Sequence, residues 1–111
     1  ATSASIRASS HPSSAPMRAA TDGAAARLAS RAMIRARGLR HTRLVFGLLQ
    51  NARVDEGYIL KLLPHLPPGD TELYSHPSLD EFRNEFDALI SPAVRQAVRE
   101  RGIELIRYQD L

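Results

Sequence analysis

Thr71-Glu72-Leu73-Tyr74-Ser75-His76-Pro77 is the stretch whose reading decides the fold. As a strand it sends Glu72, Tyr74 and His76 to one face and Thr71, Leu73 and Ser75 to the other. Pro77 pushes His76 towards extended geometry and disfavours a helix through it. A carboxylate, a phenol and an imidazole therefore share one side, with the imidazole at the strand's C-terminal end. In β/α architectures the C-terminal strand ends carry the chemistry. On spacing alone the same residues also fit an ordinary exposed histidine in a loop after a strand.

Working outward from this strand, the neighbouring segments alternate between strand and helix. Pro67-Pro68-Gly69-Asp70 reads as the turn that precedes it. Before that turn, Asp55 opens a helix with Ile59, Leu62, Leu63 and Leu66 on one buried face. Pro64 should kink or end that helix, leaving His65 on its exposed side with no assigned role. Thr42 to Leu49 is apolar enough to predict a strand buried on both faces, as in a parallel sheet. Gly47 inside it suggests a bulge or a close backbone approach. On the other side of Pro77, Ser78 and Glu81 have capping-box spacing. Leu79, Phe82, Phe86 and Leu89 would then mark the buried helical face. Ser91-Pro92 reads as a new N-cap with proline at the first helical position, and Val94, Ala97 and Val98 point inward. Gly102 ends that helix, and Ile103 to Tyr108 forms the last strand. The order strand, helix, strand, helix pair, strand predicts an α/β fold with parallel strands joined by crossover helices. Three strands cannot close a barrel, so an open, partly exposed sheet is expected.

The N-terminal third has a different character. Residues 1–23 are a Ser/Ala/Pro-rich stretch with few bulky apolar side chains, and this composition predicts a flexible tail. Residues 24–37 form a helix of good helix formers, with Asp22 or Thr21 as its cap and Gly38 as its stop. Leu28, Ala32 and Met33 give that helix only a thin apolar stripe. The chain thus divides into a tail over 1–23 and a partial β/α domain over 24–111.

Charge follows the same division. Residues 1–40 carry seven Arg against one Asp, whereas residues 41–111 carry eight Lys and Arg against eleven Asp and Glu. Basic segments can meet phosphates. The basic third has no aromatic residue on which bases could stack, which argues against nucleic acid as the partner. The chain has no cysteine, which excludes a disulfide framework, a thiolate metal site and a thiol nucleophile. There is no apolar run long enough to cross a bilayer, and residues 1–35 lack the apolar core of a secretory signal.

From about Ala24 to Leu111 the chain resembles the C-terminal part of the YdjC-like carbohydrate deacetylases, most closely the hopanoid biosynthesis associated branch, HpnK. The residues that carry the likeness are Arg43-Leu44-Val45-Phe46-Gly47-Leu48, Leu60 to Gly69, and Thr71 to Pro77. Leu89-Ile90-Ser91-Pro92-Ala93-Val94 and Gly102 to Leu111 follow in the same order. The resemblance implies a (β/α) barrel-like fold, incomplete in this chain, and metal-assisted hydrolysis of an N-acetyl group on a sugar. Family members are longer, with a metal site in an N-terminal half marked by an Asp-Asp motif and His-rich motifs. This chain has no Asp-Asp pair, and its histidines are His11, His41, His65 and His76.

Carried over residue by residue, the resemblance implies that His76 is catalytic and that Glu72 supports it or contacts substrate. It assigns no metal ligand here. The divalent ion, Mg or Zn, belongs to the parent family, and the chain alone is expected to bind none and to be inactive. As an imidazolium, His76 would stabilise an oxyanion or protonate the departing amine. The implied substrate is an acetylated carbohydrate or a glycosylated hopanoid intermediate. The implied partner is a complementing N-terminal chain or a second copy, and the implied location is the bacterial cytoplasm. The Arg- and Ser-rich, acid-poor N-terminal stretch also resembles an organellar transit peptide. A different reading of the same residues is a standalone, non-catalytic α/β interaction module that pairs with another chain.

Overall fold

A computed structural model of the chain describes residues 2–8 and 24–111. It contains a four-stranded sheet. The strands are β1 (Thr2–Ala8), β2 (Leu44–Phe46), β3 (Gly69–Ser75) and β4 (Glu104–Ile106), in the order β2-β3-β1-β4. The helices are α1 (Ala24–Ala36), α2 (Glu56–Leu62), α3 (Arg83–Ile90) and α4 (Pro92–Glu100). A core with helices α2, α3 and α4 lies against one face of the sheet.

β2 pairs in parallel with β3, while β1 runs antiparallel to both β3 and β4. The three strands expected from the sequence therefore do share one direction. The expectation of a purely parallel sheet is corrected by β1, which lies between β3 and β4. Residues 2–8 belong to the stretch whose composition predicts a flexible tail, and they form this inner strand instead. Ile6 explains much of that: it is buried at 4% exposure in the core. Arg7 adds a two-pronged bond to Asp70, Nε to Oδ1 at 2.7 Å and Nη2 to Oδ2 at 3.1 Å. The rest of that stretch, residues 9–23 with the expected capping residues Thr21 and Asp22, lies outside the described residues.

β3 follows the strand alternation closely. Thr71, Leu73 and Ser75 are buried against the helices, and Glu72 and Tyr74 are half-exposed on the other face. The core beneath the sheet is built from Ile6, Leu73, Val54, Ile59, Leu62, Leu63, Ala88, Val94 and Ile103. Burying a side chain of this size is worth about 1.5–3 kcal/mol. Asp55 caps α2 by accepting from the Tyr58 N–H at 2.8 Å. Pro64 stops the α-helix, and Leu63–His65 continues as a single 3-10 turn. Ser91 caps α4 with Pro92 at the first helical position, as the sequence predicts.

Three expectations are corrected. β2 spans three residues at the sheet edge, not Thr42 to Leu49 buried on both faces. Val45 is 41% exposed and Leu49 94%. The apolar run is continuous because of its composition, but no strand lies outside it among the described residues. α3 starts at Arg83, not after Ser78, because the Ser78 hydroxyl accepts from the Phe82 N–H at 2.9 Å and closes a turn first. Consequently α3 buries Glu85 and Ala88, while Leu79 and Leu89 remain exposed. The thin stripe of α1 holds little, as the sequence predicts: Leu28 and Met33 are both exposed.

Candidate functional site

The C-terminal ends of β2, β3 and β4 lie on one side of the molecule, because the three strands share a direction. His76 leaves β3 at that end. Its position is fixed through the main chain: the His76 N–H donates to Glu85 Oε2 at 2.5 Å. Glu85 is fully buried and also accepts from the Val54 N–H, at 3.1 Å to Oε1. One carboxylate on α3 thus ties the end of β3 to the segment that leads into α2. Two N–H groups satisfy the buried carboxylate, as burial of a charge requires.

The His76 imidazole is set between two rings. Tyr74 stands edge-on to it at 4.9 Å between centroids, and its hydroxyl lies 3.3 Å from His76 Nε2. Phe82 packs against it at 5.8 Å and a tilt of 40°. Two aromatic rings therefore contact the imidazole, and Nε2 has a defined hydrogen-bond partner. The sequence alternation foresaw Tyr74 and His76 on one face, and here the two touch.

Glu72 lies on the same face, and its carboxylate accepts a hydrogen bond from the Tyr108 hydroxyl. Tyr108 follows β4, so this bond spans β1. Ser5, in register with Glu72 and with Ile106, lies in the row that the bond crosses and is buried at 4% exposure. Its hydroxyl has no hydrogen-bond partner among the described residues.

β2 reaches the same end through Gly47. Gly47 has φ +94°, and a Cβ there would stand 2.0 Å from the Tyr74 carbonyl oxygen. Only glycine allows so close an approach at that backbone angle. Beyond it, Tyr58 on α2 donates to Gln50 Oε1 at 3.2 Å. Burial raises the Tyr58 phenol above its ordinary range, and a hydrogen bond with the Gly47 backbone opposes the shift. Between β2 and α2 an apolar cavity of about 560 Å³ is lined by Phe46, Leu48, Leu49, Tyr58 and Leu62.

Glu85 and Tyr108 were not singled out as site residues by sequence reasoning. Glu85 sits between Phe82 and Phe86, so a helical apolar face drawn through those rings passes it over. Its one signal was its spacing, three residues after Phe82 and nine after His76, which carries no chemistry until the turn at Ser78 is known.

With the geometry established, similarity to other proteins can be placed on it. The sequence profile of the family described as YdjC-like protein matches residues 2–100. The chain belongs to the YdjC-like family. The match includes β1 and so begins well before Ala24. Neither the curated proteins nor the solved structures searched give a match. Membership in the YdjC-like family points to chemistry of the carbohydrate deacetylase type.

This YdjC-like chain does not gather a metal donor set among its described residues: no three His, Asp or Glu side chains cluster to hold an ion. His76 has aromatic neighbours and Glu72 is bonded to Tyr108. The described residues therefore do not fit a divalent ion by themselves. No described helix of the chain is long and apolar enough to cross a membrane.

Proposed function

We propose that this chain is the C-terminal portion of a carbohydrate deacetylase of the YdjC type, in its HpnK branch, and that it contributes His76 to the reaction. The single observation that carries the reading is the placement of His76 at the C-terminal end of β3 in a chain matched by the family from residue 2 to residue 100. In this reading β2, β3 and β4 are units of a barrel-like fold, and the partial β/α domain needs further strands to close. The substrate is an acetylated carbohydrate, or a glycosylated hopanoid intermediate, in a bacterial cytoplasm.

His76 acts on the scissile amide as a proton donor to the departing amine or as a cationic partner of the oxyanion. Tyr74 holds the ring through Nε2, and Phe82 limits its rotation. Glu72, oriented by Tyr108, lies two same-face positions before His76, with Tyr74 between them, and meets substrate hydroxyls. The divalent ion of the parent family, Mg or Zn, takes its ligands from outside the described residues. The chain by itself is then inactive.

The exposed edge favours one further reading. Leu44, Val45, Leu48 and Leu49 are exposed along β2 and the loop after it. An apolar edge of this kind invites pairing with another chain, as in a non-catalytic interaction module. Both readings require a partner, a complementing N-terminal chain or a second copy, and only the first requires chemistry.

Acetate release from an N-acetylated chitooligosaccharide separates them. The purified chain is assayed with Mg²⁺ or Zn²⁺, alone and with a separately expressed N-terminal half of a YdjC-like deacetylase. The expected result is no release alone and release on complementation. Metal-dependent release by the chain alone overturns the divided site, and silence with every complementing half overturns the deacetylase reading.

A further inference from the structure

The end of the sheet opposite His76 carries a concentration of positive charge that the proposed reaction does not use. From Ala24 to Arg43 the chain holds six arginines and no Asp or Glu. Arg31 and Arg35, one helical turn apart on α1, join Arg40, His41 and Arg43 around a cavity of about 480 Å³. Asp70 is the one acidic side chain among the described residues of its wall, and its carboxylate is already held by Arg7 at 2.7 and 3.1 Å.

Main-chain oxygens fix two of these guanidinium groups. Arg31 Nη2 donates to the Arg43 carbonyl. Arg40 Nη1 donates to the main-chain oxygens of Gln109, at 3.4 Å, and Leu111. His41 Nδ1 lies 2.8 Å from the Thr42 carbonyl, an acceptor only, so that nitrogen carries the proton. The Arg35 and Arg43 side chains have no carboxylate partner among the described residues. Like charges brought to one cavity repel, and an anion placed among them relieves that repulsion.

We propose that this cavity binds a small molecule through a phosphate or pyrophosphate group. A guanidinium is a planar fork of donors that matches phosphate oxygens two at a time. The volume lies within the range of small-ligand sites. No Phe, Tyr or Trp among the described residues lines the cavity, so it lacks the large stacking platform of single-strand binders, and a nucleic acid strand is disfavoured. Arg43 precedes β2 and Asp70 begins β3, whereas His76 follows β3. At about 3.3 Å per residue the two regions are roughly 20 Å apart, so the occupant is distinct from whatever reacts at His76.

Isothermal titration calorimetry of the full chain with sodium pyrophosphate, and then with inorganic phosphate, tests this at low ionic strength. The proteins are wild type, R35Q, R35Q/R43Q, and R99Q/R101Q as a control at the C-terminal end of α4. Saturable binding at one site is expected, weakened about tenfold or more in R35Q/R43Q, by an intermediate factor in R35Q, and little changed in the control. Far-UV circular dichroism unchanged across the four proteins ties the loss to the site. Absence of saturable binding, or an equal loss in the control, overturns the site. Tighter binding to single-stranded RNA or to phosphatidylserine vesicles than to pyrophosphate, with the same arginine dependence, overturns the small-molecule assignment.

Discussion

The Glu85 carboxylate, fully buried on α3, accepts the main-chain N–H of His76 at the end of β3. The residue that the sequence marks for chemistry is therefore held in place by one that the sequence does not mark. Since Oε1 of the same carboxylate takes the Val54 N–H, the positions of β3 and of the α2 entrance are set together.

Replacing Glu85 tests this arrangement. Glu85→Ala leaves two N–H groups without their acceptor, and stability should fall by roughly 2–4 kcal/mol. Glu85→Gln keeps one acceptor oxygen and should lose less. Urea unfolding midpoints measure both, and a loss under about 0.5 kcal/mol for the alanine variant would contradict the role.

Gly47→Ala should be severely destabilising. The added methyl would stand 2.0 Å from the Tyr74 carbonyl oxygen at a backbone angle of φ +94°. The chain must shift, and a loss of roughly 3 kcal/mol is expected from the clash and the left-handed backbone together. Amide exchange should show lost protection over Leu44–Phe46, while unaltered protection there would show that β2 and β3 are not so closely packed.

Tyr74→Phe removes the hydroxyl beside His76 Nε2 and leaves the ring contact intact. Stability should change by no more than about 1 kcal/mol. The nitrogen chemical shifts of the His76 ring should move, reporting a changed tautomer balance. Shifts identical to wild type would mean that the hydroxyl does not orient the imidazole.

Tyr58 links pH to stability at the base of β2. Burial raises its phenol pKa in the folded chain. The folded state therefore keeps this proton at a pH where the unfolded state has lost it. The stabilisation is fully present below the ordinary phenol value of about 10 and is lost as pH rises through the folded value. A carbon NMR titration of the Tyr58 ring should place it above the other tyrosines in urea-unfolded chain. A midpoint at or below the unfolded one would remove the effect.

How much of this was legible beforehand varies by element. β3 and its two faces follow from alternation and the His-Pro pair, and the caps at Asp55 and Ser91 follow from residue type and spacing. β1 was hidden because Ser, Ala and Thr carry no apolar signal; it gains its place from Ile6 and from the Arg7–Asp70 bond, both long-range effects. β2 was overextended because an apolar run looks the same whether or not a strand covers it. At the site, Tyr74 and His76 were visible together, whereas Glu85 and Tyr108 depend on contacts across 9 and 36 residues that no local pattern reports.

The most direct test of the deacetylase reading is acetate release by the chain reconstituted with an N-terminal half, comparing wild type with His76→Ala. If His76 transfers a proton or stabilises the oxyanion, the variant should lose about 100- to 10,000-fold in kcat while still assembling with its partner. Equal rates for the two would show that His76 takes no part in the reaction and would contradict the account.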